Sequence, residues 1–203
     1  MVKRFFKWFA VVLVLLTGLA LFTPLGMFAT VTVLNLVPTT EFRVQGHDLL
    51  MRGDINAKTL DQFEAVIAAN PGITRLVELD VPGSLDDDTM IALAYRVREL
   101  GLDTHLTATS EIYSGGVDLF LAGDRRSMEE GAVIGVHSWS DGFREAADFP
   151  RDAPEHEQNR KYVEDMLGQD DFYWFTIAAA PADGIHVMSA EEIARYGLLN
   201  DGG

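Results

Sequence analysis

The chain has 203 residues, of which 48% are hydrophobic, and a formal net charge of -15 at pH 7. After an N-terminal segment is set aside, this length provides one ordinary domain. Residues 1–40 contain three basic residues and no acidic one, so residues 41–203 carry 13 basic and 31 acidic side chains. Such an acidic surface repels a phosphate backbone, which argues against nucleic acid as a partner. Because cysteine is absent, disulfides, a cysteine nucleophile and thiolate metal sites are excluded.

The N-terminal segment has the character of a membrane anchor. Residues 8–40 carry no charge, and residues 8–22 are dense in Val, Leu and Phe. Since about 20 apolar residues span a bilayer, a transmembrane helix is predicted from about residue 5 to about residue 23. The basic residues before it are expected to stay cytoplasmic, with the acidic domain on the far side. A cleaved signal peptide is the competing interpretation, and a second span over residues 25–37 would return the domain to the inside.

Strand-like and helix-like segments then alternate. Apolar strands are predicted at residues 49–51, 74–81, 104–109 and 132–137. Helices are predicted at residues 58–69, at 85–101 and from residue 114. This alternation predicts an α/β fold with a mainly parallel sheet and right-handed crossovers. We therefore divide the chain into an anchor and linker at residues 1–40 and one α/β domain at residues 41–203.

Three segments leave the carboxyl ends of predicted strands, namely residues 82–84, 110–115 and 137–140. In parallel sheets, ligands bind beyond these strand ends. The three segments are therefore expected to meet in one crevice, which is the predicted site.

Ser114 is the candidate nucleophile of this crevice. Gly115 and Gly116 follow it, and then an apolar run over residues 117–122 that is broken only by Asp118. A serine nucleophile needs a base, a group that orients the base, and donors for the oxyanion. The Gly115 amide, at a helix N-terminus, suits the last role. The alternative is that Ser114 only caps the helix.

His137, at the end of the next strand, is the candidate base, although a structural histidine is the simpler interpretation of that residue alone. The GxSxG motif of α/β-hydrolases is absent. A Ser/Lys dyad would have to use Lys58 or Lys161, the two lysines outside the N-terminus. The remaining histidines lack metal-ligand spacing.

Five segments in order resemble a known family. They are RGDI (52–55), LDVPGS (79–84), SEIYSGGVDLFLAG (110–123), GAVIGVH (131–137) and MSAEEIARYGLL (188–199). Together they resemble the Clp-type serine peptidases of the ClpP/crotonase superfamily, above all the membrane-anchored or periplasmic Clp-like proteins of bacteria. The resemblance extends over residues 49–199.

The resemblance implies a ClpP/crotonase-like fold and a role for each site residue. The nucleophile falls on Ser114 and the general base on His137, with Asp183 as the nearest acid to orient it. The oxyanion donors fall on the backbone amides of Ser84 and Gly115. It further implies a peptide or protein substrate, no metal or organic cofactor, and self-association through the helix after His137. The expected location is the bacterial inner membrane, with a single span and a periplasmic domain.

Three positions depart from the family's pattern. Ser84 stands where the family usually has glycine, Tyr113 where it has a small residue, and Ile185 where a gapless match selects the acid. A second hypothesis follows from them: the same fold kept as a non-catalytic, oligomeric binding module at the membrane. A third is a crotonase-like acyl-thioester site, against which the acidic surface argues because it offers little for the phosphates of CoA.

Overall fold

The computed structural model describes residue 35 and residues 37–200. The predicted anchor at residues 5–23 lies outside the described residues. Within residue 35 and residues 37–200, no helix has both the length and the apolar character that a membrane crossing requires.

A single seven-stranded sheet forms the centre of the described part of the chain. Its strands are β1 (Glu41–Gln45), β2 (Asp48–Arg52), β3 (Arg75–Val81), β4 (Asp103–Tyr113), β5 (Arg126–Met128), β6 (Val133–Val136) and β7 (His186–Val187). The strand order is β1-β2-β3-β4-β6-β7, and β5 also pairs with β4. All pairs among β2 to β6 are parallel, whereas β1 and β7 are antiparallel edge strands. The predicted α/β fold with a mainly parallel sheet is confirmed.

Helices connect the parallel strands and cover the sheet. They are α1 (Thr59–Ala69), α2 (Asp87–Glu99), α3 (Gly115–Leu121), α4 (Glu157–Leu167), α5 (Asp171–Ala179) and α6 (Ala190–Arg195), with 3-10 turns at Ala146–Asp148 and Pro154–His156. Asp86 caps α2, since its Oδ1 accepts from the Thr89 amide at 2.8 Å. Ser189 and Glu192 form a capping box at the start of α6.

The long strand β4 carries the chain to the candidate site. Its first half pairs with β5, where Leu106 faces Met128, and its second half pairs with β6, where Ile112 faces Ile134. Between these halves the register with β3 shifts. The strand predicted at residues 104–109 is therefore shorter than the observed one. The irregularity interrupts the alternation of buried and exposed side chains, and the prediction depended on that alternation. The consequence is that β4 ends directly beside β6.

Three short strands were not predicted: β1, β5 and β7. β1 is an edge strand with mostly exposed side chains, so its composition shows no buried face. β5 has three residues and begins in a polar turn, and β7 has only two. In strands this short, backbone pairing with a neighbour decides the conformation, and the side-chain pattern carries little information.

Glu78 on β3 is a buried acid without a partner. Its side chain is 0% exposed, and neither carboxyl oxygen has a hydrogen bond within residue 35 and residues 37–200. Burial raises the pKa of Glu78 well above its ordinary value. A group with a raised folded-state pKa stabilises the fold at pH below its unfolded pKa. That stabilisation is lost as the pH rises through the folded pKa.

We therefore expect Glu78→Gln to stabilise the protein, and to do so more strongly at pH 8 than at pH 5. This stabilisation should increase between the two pH values, because keeping Glu78 protonated in the fold costs more free energy as the pH rises above its unfolded pKa. Chemical denaturation of the full chain at both pH values measures it. Glu130→Gln, at an exposed position, is the control and should leave the pH dependence unchanged. An equal effect of Glu78→Gln at both pH values would show that Glu78 does not hold its proton in the fold.

Candidate active site

The three predicted strand ends meet in one cleft of about 580 Å³, which includes solvent at its mouth. Ser84 and Asp87 enter it after β3, Ser114, Gly115 and Asp118 enter it after β4, and His137 and Trp139 enter it after β6. The opposite wall comes from α4 and α5, through Asn159, Val163, Phe172, Tyr173 and Thr176. Four residues of the predicted site therefore line one cleft, because parallel strands end at the same edge of the sheet; they are Ser84, Ser114, Gly115 and His137.

Ser114 forms a sharp turn between β4 and α3. Its φ is 49° and its ψ is -123°, and it is the one non-glycine residue with positive φ in the described part of the chain. A conformation of this kind costs of order 1–3 kcal/mol and persists only where the surrounding structure enforces it. The Ser114 side chain makes no capping hydrogen bond to α3, so the helix-cap interpretation is wrong. The hydroxyl lines the cleft instead.

Two backbone amides lie side by side next to this hydroxyl. A Cβ placed on Gly115 would lie 2.6 Å from Ser84 Oγ and 2.9 Å from the Ser84 amide nitrogen, so these two segments touch. The residues around Ser84 are fixed, because Ile55 N donates to Gly83 O at 2.9 Å and Leu85 N donates to Ile55 O at 2.7 Å. Within residue 35 and residues 37–200, neither the Ser84 nor the Gly115 amide donates a hydrogen bond. Both are therefore free to bind an anionic oxygen.

The substitution of glycine by serine at position 84 causes no backbone strain. The residue with positive φ in this turn is Gly83, at 155°, and Ser84 does not share that conformation. The Ser84 hydroxyl donates to Asp87 Oδ1, which turns this side chain towards the start of α2. The departure at Ser84 therefore leaves its amide in place.

His137 reaches the cleft because β6 ends beside Ser114. The Ser114 amide donates to Gly135 O at 3.1 Å, two residues before the histidine. His137 Nδ1 lies 2.7 Å from the carbonyl oxygen of Ser138. Since a carbonyl only accepts, Nδ1 carries the proton and Nε2 keeps its lone pair. Ser114 and His137 line the same cleft, but they make no direct hydrogen bond in this structure.

Asp183 lies apart from this arrangement. The residue is exposed, and within the described residues its carboxylate makes no hydrogen bond or ion pair with His137. The hydrogen bond to His137 Nδ1 that was expected from Asp183 is made by the Ser138 carbonyl oxygen. The Ser138 amide donates to Ala180 O at 2.9 Å. The orienting role of Asp183 stays a prediction.

Tyr113 does not block the cleft. Its ring lies against the backbone of Gly135, which has no side chain. A Cβ added to Gly135 would clash with the Tyr113 ring and would lie 2.9 Å from the Ile185 side chain. The Tyr113 hydroxyl donates to Glu111 Oε2 at 3.0 Å, and the side chain is not part of the cleft lining. Because side chains alternate along a strand, Tyr113 shares one face of β4 with Glu111.

A hydrogen-bonded aromatic group supports the wall next to His137. Trp139 Nε1 donates to the Tyr173 hydroxyl at 2.9 Å, and that hydroxyl lies 2.7 Å from His156 Nδ1. Burial raises the pKa of Tyr173 to about 12, so the phenol keeps its proton and can donate it to His156. This group could not be predicted from the sequence, because its three members are far apart in the chain and each resembles a core residue.

Asp118 is a further cleft residue whose role was not predicted. Burial, with the nearby charge of Asp87, raises the pKa of Asp118 to about 7. One signal was present in the sequence: Asp118 is the single charge in an apolar run, one helical turn after Ser114.

Other candidate chemistries are not assembled in the cleft. Lys58 is exposed and Lys161 pairs with Asp165 at 2.7 Å, and neither lines the cleft. A second serine–histidine contact joins Ser127 Oγ and His105 Nδ1 at 2.7 Å, but it too lies outside the cleft. Within residue 35 and residues 37–200, no group of His, Asp and Glu side chains could hold a metal ion.

Comparison with known proteins bears on the fold. No protein-family model matches the chain, and no curated protein matches it. Among solved structures, a mutant of the 1510-N membrane-bound stomatin-specific protease, in complex with a substrate peptide, is similar to it. That structure is 19% identical, with a TM-score of 0.52 over 74% of this chain and 71% of the protease chain.

Two further structures have the same architecture. A point mutant of ClpP1 from Listeria monocytogenes is 15% identical, with a TM-score of 0.55 over 76% of this chain and 90% of its own. An enoyl-CoA hydratase from Thermoplasma volcanium is 14% identical, with a TM-score of 0.50 over 81% of this chain and 71% of its own. Peptidases and hydratases thus share this arrangement of strands and helices. The chain has the ClpP/crotonase-like fold.

Proposed function

We propose that this protein is a membrane-anchored, Clp-like serine hydrolase that cleaves peptides or proteins. The observation that carries the proposal is the turn at Ser114, whose hydroxyl lines the cleft near the Ser84 and Gly115 amides, and neither amide donates a hydrogen bond within the described part of the chain. A strained residue and two unused donors are costly unless they serve a ligand. The likeness to the stomatin-specific protease and to ClpP1 adds support from the fold.

The proposed reaction is an acyl transfer in two steps. Ser114 Oγ attacks the substrate carbonyl carbon while its proton passes to His137 Nε2, and the oxygen that becomes negative is held by the Ser84 and Gly115 amides. The C–N bond then breaks, and the leaving amine takes the proton from His137. Water then attacks the acyl-serine carbonyl and gives a proton to His137, and His137 passes this proton to Ser114 Oγ as the ester C–O bond breaks and the carboxylic acid leaves.

His137 is oriented by a backbone carbonyl in this proposal. The Ser138 oxygen fixes the tautomer with Nδ1 protonated, and it does so without a negative charge. A carboxylate would stabilise the imidazolium further, so the base is expected to be weaker than in a complete Ser-His-Asp triad. Slow turnover is therefore part of the proposal.

Two alternatives compete with it. A non-catalytic binding module was suggested by Ser84, Tyr113 and Ile185, but neither Ser84 nor Tyr113 disturbs the amides or fills the cleft. A crotonase-like thioester site would use the same pair of amides. Asp87 and Asp118 in the cleft disfavour the phosphates of CoA.

The anchor at residues 5–23, a periplasmic location at the bacterial inner membrane and self-association belong to the same proposal. They rest on the uncharged N-terminal sequence and on the family resemblance. An anchored peptidase would act on substrates at or near the membrane surface.

A fluorophosphonate probe, which reacts with activated serines, tests the proposal on the full chain in detergent micelles. We expect labelling of the wild-type protein and none of Ser114→Ala. Ser127→Ala is the matched control, since Ser127 also contacts a histidine, and it should be labelled like the wild type. Labelling that survives Ser114→Ala, or its loss in Ser127→Ala, would contradict the assignment.

A further inference from the structure

Asp118 lies in the cleft without a counter-ion. The Asp118 amide donates to Ser114 O at 3.2 Å, so Asp118 lies one turn beyond the serine, and both residues line the cleft. Within residue 35 and residues 37–200, the Asp118 carboxylate makes no hydrogen bond and no ion pair. Some other carboxylates of the chain are paired with a basic side chain, for example Asp48 with Arg75 at 2.8 Å. The Asp118 carboxyl group is thus available to a ligand.

Apolar and acidic side chains line the cleft around Asp118, together with the polar His137 and Asn159. Met90, Val117 and Val163 line the cleft with it, and Asp87 stands at the start of α2. None of the residues that line this cleft is a lysine or an arginine. A carboxylate in such a place is poorly solvated and is repelled by Asp87, and this is why its pKa is raised. A cation that enters the cleft would relieve both effects.

The position of Asp118 fits a substrate side chain. Four residues of α-helix rise about 6 Å, a distance that an extended lysine or arginine side chain can span. The methylene groups of such a side chain would contact the apolar wall while its charged end reaches the carboxylate. Asn159, on α4, offers a further carbonyl oxygen in the cleft.

We propose that Asp118 is the specificity-determining residue of the cleft and selects peptides with a lysine or arginine side chain next to the cleaved bond. This inference rests on the proposed function for the scissile bond, but the cation preference itself can be measured without catalysis.

The test uses two fluorescent peptides that differ only in one central residue, lysine in one and uncharged norleucine in the other, with capped ends. Their dissociation constants are measured by fluorescence anisotropy with the full-chain Ser114→Ala variant in detergent micelles. We expect the lysine peptide to bind about tenfold more tightly, which corresponds to about 1.4 kcal/mol. When Asp118→Asn is combined with Ser114→Ala, the dissociation constants of the two peptides should differ by less than about threefold. When Asp118→Glu is combined with Ser114→Ala, the preference for the lysine peptide should remain.

Asp61→Asn is the matched control, because it removes one negative charge from the exposed face of α1, away from the cleft. It should leave the lysine preference intact, which separates Asp118 from the general attraction of an acidic protein for cations. Equal affinities for the two peptides, no binding of either, or a preference that persists in Asp118→Asn would overturn the inference. Since the nucleophile is absent in this assay, these outcomes are independent of probe labelling, which tests the hydrolase proposal by itself.

Discussion

Replacing His137 by glutamine should lower kcat/KM for peptide or ester hydrolysis by about 10³-fold, while the protein stays folded. Glutamine has a similar size and can still contact the Ser138 carbonyl, but it has no lone pair of suitable basicity to accept the Ser114 proton. The loss should fall mainly on kcat, since His137 acts in the transition state. Initial rates over a range of substrate concentrations, with circular dichroism to confirm the fold, measure the effect.

Asp183→Ala is the informative comparison for His137→Gln. Because Asp183 is exposed and does not contact His137, replacing it with alanine should change kcat/KM by less than about threefold. Replacing the acid of a complete Ser-His-Asp triad has a far larger effect. If Asp183→Ala instead reduces activity as strongly as His137→Gln, the acid moves to the histidine during catalysis. The account of orientation by the Ser138 carbonyl would then be wrong.

Gly115→Ala should lower kcat by about 10²–10³-fold, the loss that follows removal of one oxyanion donor. The new methyl group would lie 2.6 Å from Ser84 Oγ and 2.9 Å from the Ser84 amide nitrogen, closer than real contacts allow. Because Ile55 holds the backbone on both sides of Ser84, the two segments must separate, and the pair of amides is lost. Steady-state kinetics and a thermal melt of the same sample measure both consequences.

Gly72→Ala provides the control for this substitution. Its new methyl group would meet only the His47 ring, at 3.7 Å, an ordinary van der Waals contact. Activity should therefore stay within about twofold of the wild type, as for a surface substitution away from special features. Full activity of Gly115→Ala would contradict the role of the two amides.

The elements around the site could be predicted because their signals are local and strong. Ser114 before two glycines, and His137 after a buried strand, are both ends of regular elements, and a parallel sheet brings such ends together. The segments that leave β3, β4 and β6 do meet in one cleft.

The features that were missed depend on three-dimensional neighbours. The sequence named the Ser84 and Gly115 amides, but the contact between their two segments depends on the bridge from Ile55 to Ser84 and was not predicted. The contact of His137 with the next residue's carbonyl, in place of Asp183, depends on how the backbone turns after β6. The strain at Ser114 likewise follows from the meeting of β4 and α3, since serine by itself has no preference for positive φ.

The acidic residues illustrate the same limit. Asp118 stood out in its apolar run, but the sequence could not tell whether a lysine or arginine from elsewhere would pair with it. In the structure the basic side chains lie elsewhere, for example Arg96 against Glu64 at 2.6 Å. An unpaired charge is a property of the assembled cleft, and so is the selectivity inferred from it.

Mapping the site of covalent modification tests the central claim most directly. The full chain is treated with a fluorophosphonate, digested, and analysed by tandem mass spectrometry, with fragmentation that separates Ser110 from Ser114. The account predicts one modified residue, Ser114. Modification of Ser110 or Ser127, or no modification while a known serine hydrolase in the same tube reacts, would contradict it.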